Sequence, residues 1–267
     1  MDGQRERQHG FLLIEMVVTV AIIALLIAVI APVLAAARKQ VHKFDCASRE
    51  RQLGTAVTMY TQDNDESLPV GAAFDYWTDA TITSWDAAVT PYTSYHGPLT
   101  GVESLARAGA LYQCPVDHLP REKGVTRSYA MTLTGGSCGG PNRGVMGDWM
   151  REGRTLYTNP RTLAELPDQS GTLLLVEFFH PLNRLFGGWA AGIHGPISTA
   201  GPCGTGPLAQ ETAGLVSAPT AEPLNHLGGF NYVYCDNHAK WQKPSQTLGP
   251  RGRPSDPRGA WTIADGD

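Results

Sequence analysis

The feature that most constrains this chain is an almost uninterrupted apolar segment close to its N-terminus. From Phe11 to Ala37 the sequence reads FLLIEMVVTVAIIALLIAVIAPVLAAA, and its first twenty residues contain only two polar side chains, Glu15 and Thr19. A helix of about 20 apolar residues crosses the hydrocarbon core of a bilayer. The segment predicts a membrane-spanning helix; a secretory signal cleaved near Ala35–Ala37 and a plain signal anchor are the alternatives.

Glu15 distinguishes between these interpretations. A carboxylate at the centre of a bilayer costs on the order of 2.5–3.5 kcal/mol on insertion scales. Neither a cleaved signal nor a plain anchor has a use for such a group. The cost is offset where a positive charge arrives, and cleavage after Gly10 would create one in the form of a free α-amino group. Glu15 therefore favours a helix that meets other helices.

The segment Gly10–Glu15 (GFLLIE), which follows a short hydrophilic leader, resembles the processing motif of type IV prepilins and type II secretion pseudopilins. The resemblance implies that a prepilin peptidase cuts after Gly10 and that the new N-terminal residue, Phe11, is methylated. It also implies that Glu15 pairs with the amine of a neighbouring subunit during filament assembly. The sequence departs from the family at Leu12, where a threonine is usual.

Beyond Ala37 the apolar residues recur at helical spacing between charged ones, which predicts an amphipathic continuation of the same helix over residues 38–64. The predicted helix ends near Thr61, before the stop signals of residues 63–69, and is roughly 75 Å long. The residues of the predicted apolar stripe are Val41, Phe44, Leu53, Val57 and Tyr60, and Glu50 is assigned to the polar surface between them.

Residues 65–267 are predicted to form a globular domain outside the cytoplasm, because short apolar runs alternate with Gly and Pro breaks. The stretch from Gly187 to Pro223 has little periodicity and predicts a long loop. The fold prediction is therefore α+β: a long N-terminal helix packed on an antiparallel sheet with long loops, as in pilins. The strand candidates are Leu111–Cys114, Ser128–Met131, Thr172–Glu177 and Phe230–Cys235, with a turn or short helix at Thr162–Leu166.

The C-terminal segment His226–Trp241 predicts a β-hairpin whose turn is Asp236-Asn237. It resembles the C-terminal signature of a large prepilin-like family, in which nine residues separate a histidine from an Asp-Gly pair; here Asn237 replaces the glycine. Two further segments match that family: Cys114-Pro115-Val116-Asp117 and Arg127-Ser128-Tyr129-Ala130-Met131. The resemblance extends along the chain, strongly at both ends and weakly between about Trp77 and Arg107.

Several side chains are weak candidates for metal ligands, but no resident metal or cofactor is expected. Their spacing fits neither a closed zinc motif nor an EF-hand loop. His226 is instead expected to hydrogen-bond a loop backbone, and Glu177 to be paired within the core. The weak candidates are Asp63, Asp65, His226, Asp236 and His238.

The five cysteines contain no C-x-x-C pair, which argues against a zinc ribbon and a thioredoxin-like site. Outside the cytoplasm they allow up to two disulfides and one unpaired thiol, in fifteen arrangements. Cys46 is expected to be the unpaired one because it lies on the predicted helix, away from the others. The alternative is that all five are reduced and partly buried.

These observations predict a pilin-like or pseudopilin subunit, a minor component of a filament, with a prepilin peptidase, other pilin-like subunits and the inner membrane as partners. The protein is expected to be single-pass, with its C-terminal domain in the periplasm or at the cell surface. No catalytic or nucleotide motif is present, so an enzyme is not expected, and no basic tract suggests nucleic acid. The alternative is a membrane-tethered domain that binds a ligand, such as a carbohydrate, and uses the prepilin leader for delivery only.

Overall fold

The structure is a computed structural model, and its description below covers part of the chain. The described residues are 13–75, 77–78, 80–95, 97, 102–121, 124–132, 144–147, 149–180, 182–187, 192–193, 226–250, 259–261 and 263. The leader and most of the loop predicted from Gly187 to Pro223 lie outside these residues. The chain divides into two compact units, Met1–Val41 and His42–Asp267.

The dominant element is helix α1, which runs from Leu13 to Asp63 with Pro32 in its interior. Its end lies two residues beyond the predicted one. There the side chain of Asn64 donates a hydrogen bond to the carbonyl of Tyr60, and Asp65 and Glu66 adopt positive φ angles of 50° and 60°. Such left-handed residues satisfy the last carbonyls of a helix and turn the chain away.

Among the described residues, the larger of two sheets has five strands in the order β7-β3-β6-β8-β9. Its neighbours are antiparallel except for β7, which pairs in parallel with β3 at the edge. The central strand β6 is buried along its whole length, as is β8. Three of the four predicted strands are found here. The strand bounds are β3, Tyr129–Thr132; β6, Leu173–Glu177; β7, Gly192–Ile193; β8, Phe230–Tyr234; and β9, Ala239–Gln242.

The smaller sheet is antiparallel, with four strands in the order β2-β1-β5-β4. No strand of this sheet was predicted from the sequence. Its strands are only four residues long and sit among Gly, Asp and Thr, so each lacks the apolar run by which the larger sheet was recognised. Their bounds are β1, Ala72–Asp75; β2, Thr81–Ser84; β4, Trp149–Glu152; and β5, Thr155–Thr158.

The described part of the globular unit also contains two α-helices, α2, Trp85–Val89, and α3, Val102–Tyr112, and 3₁₀ turns at Thr90–Tyr92 and Pro244–Thr247. The predicted strand Leu111–Cys114 is wrong, because its first two residues form the last turn of α3. A short apolar run does not by itself distinguish a strand from the end of a buried helix. The prediction at Thr162–Leu166 is confirmed by a 3₁₀ turn at Leu163–Glu165.

The second half of α1 packs against the five-stranded sheet, which confirms the α+β prediction. The buried face of the helix includes Leu53 and Val57, each worth about 1.5–3 kcal/mol when fully buried. The predicted stripe is wrong at its start, since Val41 and Phe44 are 63% and 66% exposed. The buried face begins instead at Cys46 and includes Glu50, which the sequence assigned to the polar surface.

Candidate functional site

The first candidate surface is the apolar portion of α1 between Leu13 and Leu34. This stretch is long and apolar enough to cross a membrane, and none of its most apolar window is buried within the chain. Its large apolar side chains are 49–83% exposed. The exposed Glu15 lies in the first turn. The processing residues Gly10 and Phe11 lie outside the described residues.

The second candidate is a buried polar site beneath the other half of α1, and the C-terminal hairpin forms one wall of it. At the tip of the β8–β9 hairpin, the predicted two-residue turn is wrong in length: Tyr234 donates its N–H to the carbonyl of His238, so three residues, Cys235–Asn237, close the hairpin. Asn237, the last of them, has a φ of 68° and donates its N–H to the carbonyl of Tyr234, as in three-residue loops that end in a left-handed residue. Its side-chain amide donates to Thr55 Oγ1 on α1 at 2.8 Å. A Cβ atom at Gly54 would clash with Asn237 Oδ1 and lie 2.8 Å from Val233 Cγ1. The hairpin therefore touches the helix backbone where a glycine permits it.

The neighbouring Asp236 and His238 pair with each other on the exposed side of this turn. His238 Nδ1 lies 2.6 Å from Asp236 Oδ1, and the imidazole stacks on Tyr234 with ring centroids 4.2 Å apart. His226 lies before β8, at the opposite end of that five-residue strand. The metal candidates His226, Asp236 and His238 therefore do not form a common metal site, because a strand of that length separates His226 from the other two by about 16 Å.

His226 belongs to a buried cluster that also contains residues from three other segments. Its Nε2 atom lies 3.1 Å from Glu177 Oε1 and 3.3 Å from Cys114 Sγ, and its side chain is 1% exposed. These two contacts of Nε2 are with side chains, whereas the sequence predicts a hydrogen bond from His226 to a loop backbone. The main chain of His226 does bond a loop backbone, since its N–H donates to the carbonyl of Gly229. Its carbonyl accepts from the side chain of Trp241 through Nε1.

Glu177, at the end of β6, is paired as predicted. Asn231 on β8 donates from its backbone N–H to Glu177 Oε2 at 3.0 Å and from its side chain to Oε1 at 2.9 Å. The same side-chain amide donates to the carbonyl of Lys43 on α1. Asn231 thus connects the sheet carboxylate to the helix backbone.

The fourth member of the cluster is Cys46, which forms a disulfide with Cys114. The prediction that Cys46 is unpaired is wrong, because the chain after α3 returns to the helix and places Cys114 against it. Arg49 on α1 stabilises this contact, because it donates hydrogen bonds to the carbonyls of Ala110 and Gln113 at the end of α3. Cys235 is a buried free thiol, and its burial raises its pKa. The remaining two cysteines lie outside the described residues.

Glu50 is the functional candidate that the sequence reading missed. It is fully buried, and neither carboxyl oxygen has a hydrogen-bond partner among the described residues. Burial, reinforced by repulsion from Glu177, raises the pKa of Glu50 well above its usual range. Tyr129, whose hydroxyl donates to the carbonyl of Cys46, has a pKa raised by burial and by the same two carboxyls. The signal was available, because Glu50 lies four residues after Cys46 and three before Leu53, at the spacing of a buried helical face.

Hydrogen bonds of the neighbouring residues Asp117 and Ser128 hold the backbone of Cys114 in position beside the cluster. Asp117 Oδ2 accepts from Ser128 Oγ at 2.7 Å and pairs with Arg121, while Ser128 Oγ accepts from the N–H of Cys114. Burial raises the pKa of Asp117 in spite of the Arg121 charge. These bonds fix the backbone from which the Cys114 sulfur reaches α1.

Arg127, beside Ser128, forms a separate buried ion pair with Asp86 of α2. The distance between Arg127 Nη1 and Asp86 Oδ1 is 2.6 Å, and both side chains are fully buried. Arg127 also donates to Asn183 Oδ1 and to the carbonyl of Gly187. Burial lowers the pKa of Arg127, and Asp86 opposes that shift. Because these contacts satisfy the Arg127 guanidinium, we interpret the Arg127–Asp86 pair as a structural link and not as a binding site.

The remaining metal candidates, Asp63 and Asp65, are not part of the buried cluster. Asp63 is the last residue of α1, and the pKa of Tyr92 is raised first by desolvation and then by the Asp63 carboxylate. Within the described part of the chain, the one group of His, Cys and acidic residues arranged to hold a metal ion is Cys46, Cys114, Glu177 and His226.

Comparison with known proteins finds no match to any family model, curated sequence or solved structure. The geometry of the two sites, one an exposed apolar helix and the other the buried anchor of that same helix, is therefore the basis for assigning a function.

Proposed function

We propose that the chain is a pilin-like subunit. In this proposal a prepilin peptidase cuts after Gly10, the apolar part of α1 holds the subunit in the inner membrane, and the same surface then packs against other subunits in a filament. The observation that carries the proposal is that one continuous helix is apolar and exposed from Leu13 to Leu34, yet has a single buried face from Cys46 onward.

The exposed portion of α1 supports assembly into a filament because it contains Glu15, a charged residue that a membrane anchor does not need. Glu15 lies in the first turn among exposed apolar side chains, where an isolated anchor would carry an unfavourable charge. A filament supplies a neighbour whose N-terminal amine offsets that charge. The proposal therefore gives Glu15 a role that a passive anchor does not.

The buried portion of α1 supports the proposal because it is firmly attached to the rest of the globular unit, as a filament subunit with a surface domain requires. A disulfide joins the helix to the chain after α3, and hydrogen bonds from Asn231 and Asn237 join it to the hairpin. Disulfides persist in oxidising compartments. The Cys46–Cys114 bond thus supports placing the globular unit in the periplasm or at the cell surface.

The first test is mass spectrometry of the N-terminal peptide after expression with and without a prepilin peptidase. The expected mature chain begins at a methylated Phe11 only when the peptidase is present. A chain that keeps Met1, or that is cut near Ala35–Ala37, contradicts the proposal and favours a signal anchor or a secreted domain.

The second test separates assembly from delivery. Glu15→Gln keeps the shape of the side chain and removes its charge, so we expect the variant to be cleaved normally but to be lost from sheared filaments and from crosslinks to other subunits. Thr19→Val, one turn further along the same exposed segment, is the matched control and should assemble as the parent does. Equal recovery of the Glu15→Gln variant in filaments would favour a tethered ligand-binding domain instead.

A further inference from the structure

The cluster beneath α1 brings together four groups that are ordinary ligands of a borderline-soft metal ion. One ligand atom from each of Cys46, Cys114, Glu177 and His226 lies within 4.8 Å of all the others, and all four residues are buried. They come from helix α1, the segment after α3, strand β6 and the segment before β8. Because the ligands are spread over four segments, no local spacing motif reveals the site.

The distances within the cluster suit a tetrahedral ion. With metal–sulfur bonds of about 2.3 Å and metal–nitrogen or metal–oxygen bonds of about 2.0–2.2 Å, the ligand atoms of such a site lie about 3.3–3.8 Å apart. The atom His226 Nε2 already lies 3.1 Å from Glu177 Oε1 and 3.3 Å from Cys114 Sγ. The two sulfurs need only separate to the same spacing once their bond is broken.

The charges around the cluster also favour a cation. Glu50 and Glu177 are both buried, and in the part of the chain described here neither forms an ion pair with a lysine or an arginine. The carboxyl oxygens of Glu50 lack any hydrogen-bond partner there. A buried carboxylate without a compensating charge is costly, and a divalent cation bound to Glu177 would supply that charge.

We propose that this cluster is a redox-controlled metal site, which holds a zinc-like divalent ion when Cys46 and Cys114 are reduced. Two thiolates, one imidazole and one carboxylate select zinc or cobalt over calcium or magnesium, which prefer oxygen ligands alone. A dithiol delivers two electrons and two protons to the Cys46–Cys114 bond and is itself oxidised to a disulfide. The entering ion then displaces both thiol protons to solvent, and Nε2 of neutral His226 becomes a ligand.

The two states are alternative crosslinks at one place. The disulfide ties α1 to the segment after α3, whereas the metal ties α1 to that segment and to two strands of the five-stranded sheet. The globular unit can therefore be held on its helix both before and after oxidation. This inference concerns the buried cluster alone and stands whether or not the chain enters a filament.

The test uses the full chain in detergent, reduced with a phosphine without oxygen and titrated with Co²⁺ alone. We expect one cobalt per chain, with sulfur-to-cobalt charge-transfer absorption and the intense visible bands of a tetrahedral ion, and displacement of cobalt by zinc. The oxidised protein should bind none. The double serine variant of Cys138 and Cys203 keeps all four proposed ligands, so it is the matched control and should bind as the parent does.

His226→Ala should weaken cobalt binding about a hundredfold or more, since a direct ligand matters at least as much as the groups that orient it. Equal binding by this variant, equal binding by the oxidised protein, or absence of the tetrahedral bands would overturn the proposal. If the His226→Ala variant does not fold, the site is tested on the reduced parent protein instead. Zinc but not magnesium should protect Cys46 and Cys114 from alkylation, measured by peptide mass spectrometry, and unprotected thiols would refute the site.

Discussion

The isolated carboxyl of Glu50 gives the sharpest prediction about stability. In Glu50→Gln an amide of nearly the same shape replaces a group that is fully buried and has no hydrogen-bond partner in the described structure. The amide resembles the protonated form of Glu50 and does not titrate. Comparing the two proteins across pH therefore isolates the cost of ionising this one side chain.

The sign and size follow from the raised pKa of Glu50, whose ordinary value is 4.5. Well below that value the carboxyl is protonated in both states, and it contributes no pH dependence. Above it, the unfolded chain releases the proton while the folded chain retains it. The stability of the parent should then fall relative to the variant by up to about 1.4 kcal/mol per pH unit, until pH reaches the folded-state pKa. Protonation thus stabilises the fold at acid pH, and that contribution is lost as pH rises.

The assay is urea unfolding of the full chain in detergent between pH 4 and 8, with the disulfide intact and a chelator present. Subtracting the free energies of unfolding of the two proteins at each pH cancels the titration of the shared groups that do not interact with Glu50. Glu103→Gln, at an exposed position of α3, is the control for replacing a helical glutamate. A difference between parent and Glu50→Gln that does not change with pH would refute the reasoning, because it would mean that Glu50 has the same pKa in both states.

Two further predictions concern the attachment of α1, and a third concerns the buried ion pair between Arg127 and Asp86 of α2. Gly54→Ala should lower the free energy of unfolding by about 1–3 kcal/mol, because its Cβ meets the hairpin, and an unchanged urea midpoint would contradict that contact. Reduction of Cys46–Cys114 in the presence of a chelator should cost about 2–5 kcal/mol, as expected for a bond between residues 68 apart, measured in the same assay. Arg127→Met should cost about 3–5 kcal/mol by leaving Asp86 buried without its partner, and adding Asp86→Asn should recover part of that loss.

The sequence predicted the parts of the fold whose signals are local. A long apolar run specified helix α1, and continuous apolar runs specified β6 and β8 because both strands are buried along their whole length. The sequence does not reveal the four-stranded sheet, because its strands are only four residues long and lack the apolar runs of β6 and β8. In the same way, Leu111 and Tyr112 were placed in a strand because a short apolar run fits the end of a buried helix equally well.

The candidate site was less predictable, because its members come from distant segments. The resemblance of the C-terminal motif drew attention to His226 and Asn237, but not to their contacts with Glu177 and the helix. Cys46 was expected to be unpaired since its partner is 68 residues away, and only the packing of α3 brings Cys114 to it. A sequence shows which side chains could take part in a site, but only the tertiary structure shows which of them lie close together.

Helix α1 carries one carboxyl in each of two apolar surroundings, and the cost of each must be met differently. Glu15 lies on an exposed face, so a separate molecule can reach it, and in the proposed filament the amine of a neighbouring subunit does so. Glu50 is enclosed by its own chain, so only a proton or an ion small enough to enter the core can neutralise it. If both proposals hold, changing Glu15 should affect assembly without altering the unfolding of the globular unit. Changing Glu50 should alter the free energy of unfolding of the globular unit even in an isolated monomer.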